Sequence, residues 1–156
     1  MSEIVEPMSA IAVDGTAPSA AAASTDWFLQ NLVNFANDCG IETGVTLLVG
    51  GLLVSGMIIP TMKYLDELAA LFASGVRDDP KLGASFSEFF RSYKQHLEVR
   101  PDQGDVPALP QYIHMKHVRF FTPGQNPLPN NRPALWRGRI TEIGGFFLGN
   151  LSGPEV

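Results

Sequence analysis

The sequence has one cysteine in 156 residues, which excludes a fold held together by internal disulfides. Nothing therefore requires an oxidising compartment, and the cytoplasm is the expected location. Basic residues are also scarce, because 11 lysines and arginines stand against 16 acidic residues and leave a net charge of −5. Nucleic-acid binders generally need surplus positive charge to displace counterions from phosphates. The composition thus argues against a general nucleic-acid binder.

Catalytic motifs are missing as well. The chain has no glycine-rich phosphate loop, no nucleophile elbow and no zinc-ligand spacing. His114 and His117 are three apart on a predicted strand, so they point to opposite faces and cannot chelate one ion together. We expect no catalytic residue, no cofactor and no metal site. An enzyme that uses His96, His114 or Cys39 is the alternative.

Charge is distributed unevenly along the chain. Residues 1–44 hold six acidic residues and no basic one, whereas residues 112–156 hold five basic residues and two acidic ones. This complementarity predicts an internal contact or head-to-tail association between copies. Residues 1–23 are rich in Ala, Ser and Pro and are predicted to be a disordered tail. Residues 24–152 are predicted to form one domain, and residues 153–156 a C-terminal tail.

The longest stretch without an ionisable residue is "GVTLLVGGLLVSGMIIP", residues 44–60. It is nearly long enough to be a membrane-spanning helix, which needs about 20 apolar residues. Its central Gly50-Gly51 pair, however, is typical of a two-residue β turn, and its β-branched residues favour strands. Gly56 is expected at a bulge or bend of the second strand. The hairpin is the preferred interpretation, and a membrane anchor is the alternative.

Three segments have helical spacing. The first is predicted to be capped by Ser24 or Thr25 and to end at Gly40, with one buried stripe made of Trp27, Phe28, Leu32, Phe35 and Ala36. The second is predicted to run from a Thr61 cap to Gly75. The third covers residues 86–99 and follows a turn at residues 78–84.

Strands are predicted again near the C-terminus. Residues 111–121 suit a strand, residues 122–133 an exposed loop, and residues 135–143 and 146–151 two strands joined by Gly144-Gly145. The chain is therefore predicted to be α+β, with a small, strongly bent antiparallel sheet of about five strands or a partly open β barrel. An N-terminal helix and a helical insertion between strands 2 and 3 give it a plan like that of the Sm-like fold.

Aromatic and basic residues alternate in these last strands, a pattern suited to protein contacts. In "WRGR", an inward Trp136 would share its face with Gly138 and leave both arginines on the outer face, where carboxylates could bind them. The alternative is that many of the aromatic side chains fill the core. The candidate interaction residues are Trp136, Arg137, Arg139, Phe146 and Phe147.

"YIHMKHVRFF", a loop rich in Pro and Asn, and "LWRGRITEIGGFFLGNLS" together resemble the C-terminal part of the GvpU family of gas vesicle accessory proteins. The resemblance covers about forty residues closely and is weaker toward the N-terminus. It implies a non-enzymatic, cytoplasmic protein that assists gas vesicle formation or clustering, with the vesicle shell, other vesicle proteins or further copies of itself as partners. Salt-sensitive self-association is expected, without nucleic acid or membrane as a partner. The alternative is an Sm-like module that binds RNA or protein.

Overall fold

The computed structural model of the chain describes residues 25–76, 78–98 and 108–151. The elements are α1 (Trp27–Cys39), β1 (Thr43–Val49), β2 (Leu52–Ile58), α2 (Thr61–Gly75), α3 (Pro80–Glu98), β3 (Tyr112–Phe121), β4 (Ala134–Arg139) and β5 (Ile143–Leu148). The strands form one antiparallel sheet in the order β4-β3-β2-β1-β5. This α+β architecture, with a helix before the sheet and helices between β2 and β3, confirms the prediction. The two predicted tails lie outside the described residues.

The apolar stretch, residues 44–60, folds back on itself as a β hairpin. β1 and β2 pair along their whole length, ending at Val49 opposite Leu52. Gly50 and Gly51 form the turn with φ values of 56° and 84°, which favour glycine because they crowd a Cβ. The hairpin prediction is thereby confirmed. Among the helices of the described residues, none combines the length and the apolar character needed to span a bilayer.

The sheet is strongly bent, because a 3-10 turn of three residues, Ile140–Glu142, connects its two edge strands. Laid flat, five strands would place β4 and β5 about 19 Å apart, at about 4.8 Å per spacing. The chain from Arg139 to Ile143 can cover at most about 14 Å. The edge strands therefore approach each other at this end without pairing. The predicted bent sheet is confirmed, and it is not closed into a barrel.

The second glycine pair, Gly144-Gly145, does not form the predicted turn. Both glycines lie inside β5, and the chain turns earlier, at Ile140–Glu142. The register of β5 against β1 shifts between Leu48 and Val49, so Gly144 is the extra residue of a β bulge. The predicted hairpin between the last two strands is therefore wrong, because β5 pairs with β1 and not with β4.

The main core lies between α1 and one face of the sheet. The cap of α1 is Asp26, not the predicted Ser24 or Thr25, and the helix ends as predicted at Gly40, where φ is 68°. Buried side chains from α1, from the strands and from the 3-10 turn form this core: Leu29, Val33, Ala36, Val45, Leu47, Val54, Ile58, Ile113, Met115, Val118 and Ile140. A smaller cluster at α2 consists of Ile59, Tyr64 and Leu65, with partly buried residues of α3 and β4 packed against it.

α2 and α3 begin differently from the predictions. Thr61 is the first residue of α2 and not its cap, and its N–H donates to Oδ1 of Asn37 in α1, 2.8 Å away. α3 begins at Pro80, inside the predicted turn, because the Asp79 side chain accepts hydrogen bonds from the first backbone N–H groups of the helix. Asp followed by Pro is a common helix start, so the sequence contained this signal.

After β5 the chain crosses the sheet face opposite α1. The Leu151 N–H donates to Ser55 Oγ, the Thr46 hydroxyl donates to the Gly149 carbonyl, and the two hydroxyls are 2.9 Å apart. Because Thr46 has one hydroxyl hydrogen and gives it to Gly149, Ser55 must donate to Thr46. The four groups thus form one directed chain of hydrogen bonds that fixes the end of β5 across β1 and β2.

Candidate contact surfaces

The five predicted interaction residues lie on the two edge strands of the sheet. Trp136, Arg137 and Arg139 belong to β4, whereas Phe146 and Phe147 belong to β5. Three strands separate β4 from β5 in the sheet order, so the two groups lie on different edges. The predicted site therefore divides into a cationic surface and an apolar surface.

β4 presents its two arginines on the face opposite α1. Arg137 lies opposite His114 of β3, and its guanidinium carbon is 3.5 Å from the centroid of the Tyr112 ring, a cation–π contact. Within the described residues, no carboxylate forms an ion pair with Arg137 or Arg139. Both guanidinium groups are thus accessible to carboxylates from other segments or partners.

Trp136 points toward the core, as the alternation in "WRGR" predicts. Its side chain is half-buried and packs against the core cluster beneath α1. The indole also lies over Gly138, where a Cβ would come within 2.2 Å of the ring. In the described contacts Trp136 therefore completes the core, and Gly138 provides the space that the indole needs.

β5 is an apolar edge strand. Its six residues, "IGGFFL", include no charge and no proline, and its outer edge pairs with no other strand of the described sheet. Phe147 and Leu148 remain 49% and 58% exposed. Proteins usually protect an edge strand from pairing by placing charges or prolines on it. β5 lacks both, so its outer edge is chemically suited to pairing with another chain.

α1 adds aromatic side chains to this edge, contrary to the prediction. Trp27, Phe28 and Phe35 were predicted to be buried but are 68%, 49% and 53% exposed. Phe28 stacks on Phe146 with ring centroids 5.9 Å apart, and Trp27 meets Phe28 edge to face at 5.9 Å. The helix is rotated relative to the predicted stripe, because its buried face is formed by Leu29, Val33 and Ala36. Of the predicted stripe, Ala36 is buried and Leu32 is partly buried against the core.

The i, i+4, i+7 spacing of Leu29, Val33 and Ala36 is the sequence signal that could have identified the buried face of α1. The sequence reasoning therefore missed Trp27 and Phe28 as surface residues. We call the outer edge of β5 the apolar edge, together with the side chains beside it, which are Trp27, Phe28, Phe146 and Leu148 on the α1 side of the sheet and Phe147 on the other side.

His114 lies beside the cationic surface but is buried. Its ring packs on Tyr64 with centroids 4.7 Å apart, and its Nδ1 is 3.2 Å from the Thr61 hydroxyl. Burial, and secondarily the charge of Arg137, lowers the pKa of His114 from 6.5 to about 4, so the ring is neutral near pH 7. In the described residues, no group of three or more His, Cys, Asp or Glu side chains is placed to hold a metal ion. His96 and Cys39 are exposed.

The fold and these two surfaces define an α+β protein with exposed apolar and cationic contact surfaces on opposite edges of one bent sheet. The family profile described as "Gas vesicle protein GvpU-like" matches residues 26–151. The chain therefore belongs to the GvpU-like family of gas vesicle proteins, as its resemblance to GvpU predicted. No curated protein and no solved structure matches the chain significantly.

Proposed function

We propose that this chain is a non-enzymatic, cytoplasmic accessory protein of gas vesicles that binds vesicle proteins and other copies of itself through the apolar edge. Family membership supports the vesicle system as its place of action. The observation that carries the contact proposal is the uncharged β5, flanked by exposed aromatic side chains of α1. Such contacts suit either assistance in vesicle formation or the gathering of vesicles into clusters.

The apolar edge favours association for two physical reasons. Strand pairing at β5 would satisfy the backbone groups of its outer edge, which are otherwise left to water. Burying an exposed large apolar side chain contributes roughly 1.5–3 kcal/mol when burial is complete. Trp27, Phe147 and Leu148 are about half to two-thirds exposed, so much of this burial free energy remains available when a partner binds. Contacts of this kind persist at high salt, so the salt-sensitive self-association expected from the sequence would require contacts through the arginines of β4 instead.

Leu148→Lys tests the proposal directly, because it puts a charge on the most exposed side chain of β5. We expect self-association measured by sedimentation velocity, and co-sedimentation with purified gas vesicles, to weaken about tenfold or more, because the contact would have to bury an unpaired charge. Leu82→Lys is the matched control, since Leu82 is a similarly exposed leucine on α3. A Leu148→Lys protein that associates and co-sediments like the control would contradict the proposal.

RNA binding is the second candidate function, favoured by the strand order and by the arginines of β4 that lack ion pairs to described residues. The net charge of −5 opposes it. This candidate would be favoured if the wild-type chain retards RNA at low salt and the double variant Arg137→Gln/Arg139→Gln does not. Failure to retard RNA at low salt would exclude it.

A further inference from the structure

A cleft of about 580 Å³ lies between the helical pair and the β3–β4 part of the sheet. α3 contributes Phe89, Tyr93 and Leu97, and the sheet contributes Tyr112 and Arg137. These α3 side chains are 44–61% exposed although they are large and apolar or aromatic. A concave site of this size and composition is typical of ligand pockets, in which a few polar groups fix the ligand.

The described residues that line the cleft carry an unbalanced positive charge. Among its described lining residues, Arg137 is the one permanently charged group, because His114 is buried and neutral. Tyr112 holds the Arg137 guanidinium in place from one side, and no described carboxylate pairs with it. The matching ligand is therefore a carboxylate attached to an apolar body.

The N-terminal part of the chain has this chemistry. Residues 2–8 read "SEIVEPM", so Glu3 and Glu6 flank Ile4 and Val5, and no basic residue occurs before residue 63. An extended segment of 24 residues reaches about 80 Å, whereas a domain of this size is about 40 Å across, so the cleft lies within reach. Residues 99–107 also contain carboxylates but lack adjacent pairs of large apolar residues.

We propose that residues 2–8 of this chain bind in this cleft, with the carboxylate of Glu3 or Glu6 on the Arg137 guanidinium and with Ile4 and Val5 against the aromatic side chains of α3. The proposal does not depend on the proposed function, because its test involves neither vesicles nor the apolar edge. Binding within one copy and binding between copies use the same contacts.

The test protein is the full chain with both Glu3→Gln and Glu6→Gln, so that its own residues 2–8 compete less with an added peptide for the cleft. Binding of a fluorescently labelled peptide of residues 1–10 is measured by anisotropy at low salt. We expect Arg137→Gln to weaken binding about tenfold or more, because a charge-assisted hydrogen bond is lost. Arg139→Gln is the matched control and should change binding less than about twofold, since Arg139 lies on the same face of β4 but does not line the cleft. Thermal unfolding of both variants checks that the fold is intact.

The same Glu→Gln changes in the peptide should weaken its binding as much as Arg137→Gln does, and the two effects should not add. Equal losses for Arg137→Gln and Arg139→Gln would mean general charge attraction and would overturn the proposal. Absence of peptide binding would also overturn the proposal. So would peptide binding that arises only when the protein also carries Asp102→Asn and Asp105→Asn. The last result would identify residues 99–107 as the occupant of the cleft.

Discussion

At the scale of single residues, His114 links the sheet to α2 and makes the stability of the fold depend on pH. It is 6% exposed and lies between the Tyr64 ring and the Thr61 hydroxyl. Its pKa is about 4 in the folded chain and near 6.5 when the side chain is free in water. Between these values the unfolded chain binds a proton that the folded chain does not, so protonation favours unfolding.

We therefore expect the free energy of unfolding to decrease as the pH falls from 6.5 to 4, with His114 accounting for up to about 3 kcal/mol. Above pH 6.5 the contribution of the neutral ring is fully present, and below pH 4 it is lost. His114→Gln should flatten this part of the profile, measured by urea unfolding at a series of pH values. His96→Gln, at an exposed position, is the matched control.

A slope between pH 4 and 6.5 that is the same in His114→Gln and in the wild type would contradict this prediction.

Glu42 adds a separate loss of stability at lower pH. Hydrogen bonds from Lys116, 2.6 Å away, and from Lys63 lower the pKa of Glu42 below 4.5. Its contribution is therefore present above pH 4.5 and is lost as the pH falls through the lowered value, so the two groups act mainly in different ranges.

At the scale of elements, Gly56 determines how β2 and β3 fit together. The register between these strands shifts between Ser55 and Met57, where two residue steps on β2 face three steps on β3. An irregularity therefore lies at Gly56 as predicted, but the extra residue of the bulge belongs to β3 and not, as predicted, to β2. A Cβ on Gly56 would lie 2.8 Å from the backbone oxygen of Lys116 and 2.8 Å from a methyl group of Val118. Because a backbone atom cannot rotate away as a side chain can, the strands themselves would have to move.

Gly56→Ala should therefore destabilise the protein by about 1–3 kcal/mol, as overpacking in a dense core does. Gly145→Ala is the matched control, because Gly145 also lies within a strand but has no atom within 4 Å of the position of a Cβ. Denaturant unfolding followed by circular dichroism measures both. Equal stability of the two variants would contradict the packing derived for Gly56.

The elements also explain what the sequence could and could not predict. The first hairpin was predictable because Gly50-Gly51 and the β-branched residues beside it are local signals. The rotation of α1 was ambiguous, because the helix is apolar on two sides: the i, i+4, i+7 spacing of Leu29, Val33 and Ala36 marks one side, and the position of the sheet selects it for burial. The glycines of β5 were ambiguous, since a glycine pair suits a turn or a bulge, and distant β1 decided between them.

The candidate site was predictable in part for the same reason. Alternation along β4 placed both arginines on one face and Trp136 on the other, as the strand register confirms. The aromatic side chains of α1 could not be joined to Phe146 from the sequence, because their stacking depends on a contact between residues more than a hundred positions apart.

At the scale of the whole molecule, the bent sheet keeps two chemically different surfaces on separate edges. The apolar edge carries no charge in β5, whereas the cationic surface carries Arg137 and Arg139. High salt should therefore weaken contacts through β4 and spare those through β5. The proposed accessory function would use these edges as two separate binding surfaces.

The central claim, that β5 is the contact strand of this gas vesicle protein, is tested most directly by hydrogen exchange of its backbone amides. Exchange is compared for the free protein at low concentration and for the protein bound to purified gas vesicles. We predict that amides within Ile143–Leu148 slow by about tenfold or more on binding, because a paired edge opens less often, while amides of α3 keep their rates. Unchanged exchange in Ile143–Leu148 together with new protection elsewhere would contradict the account.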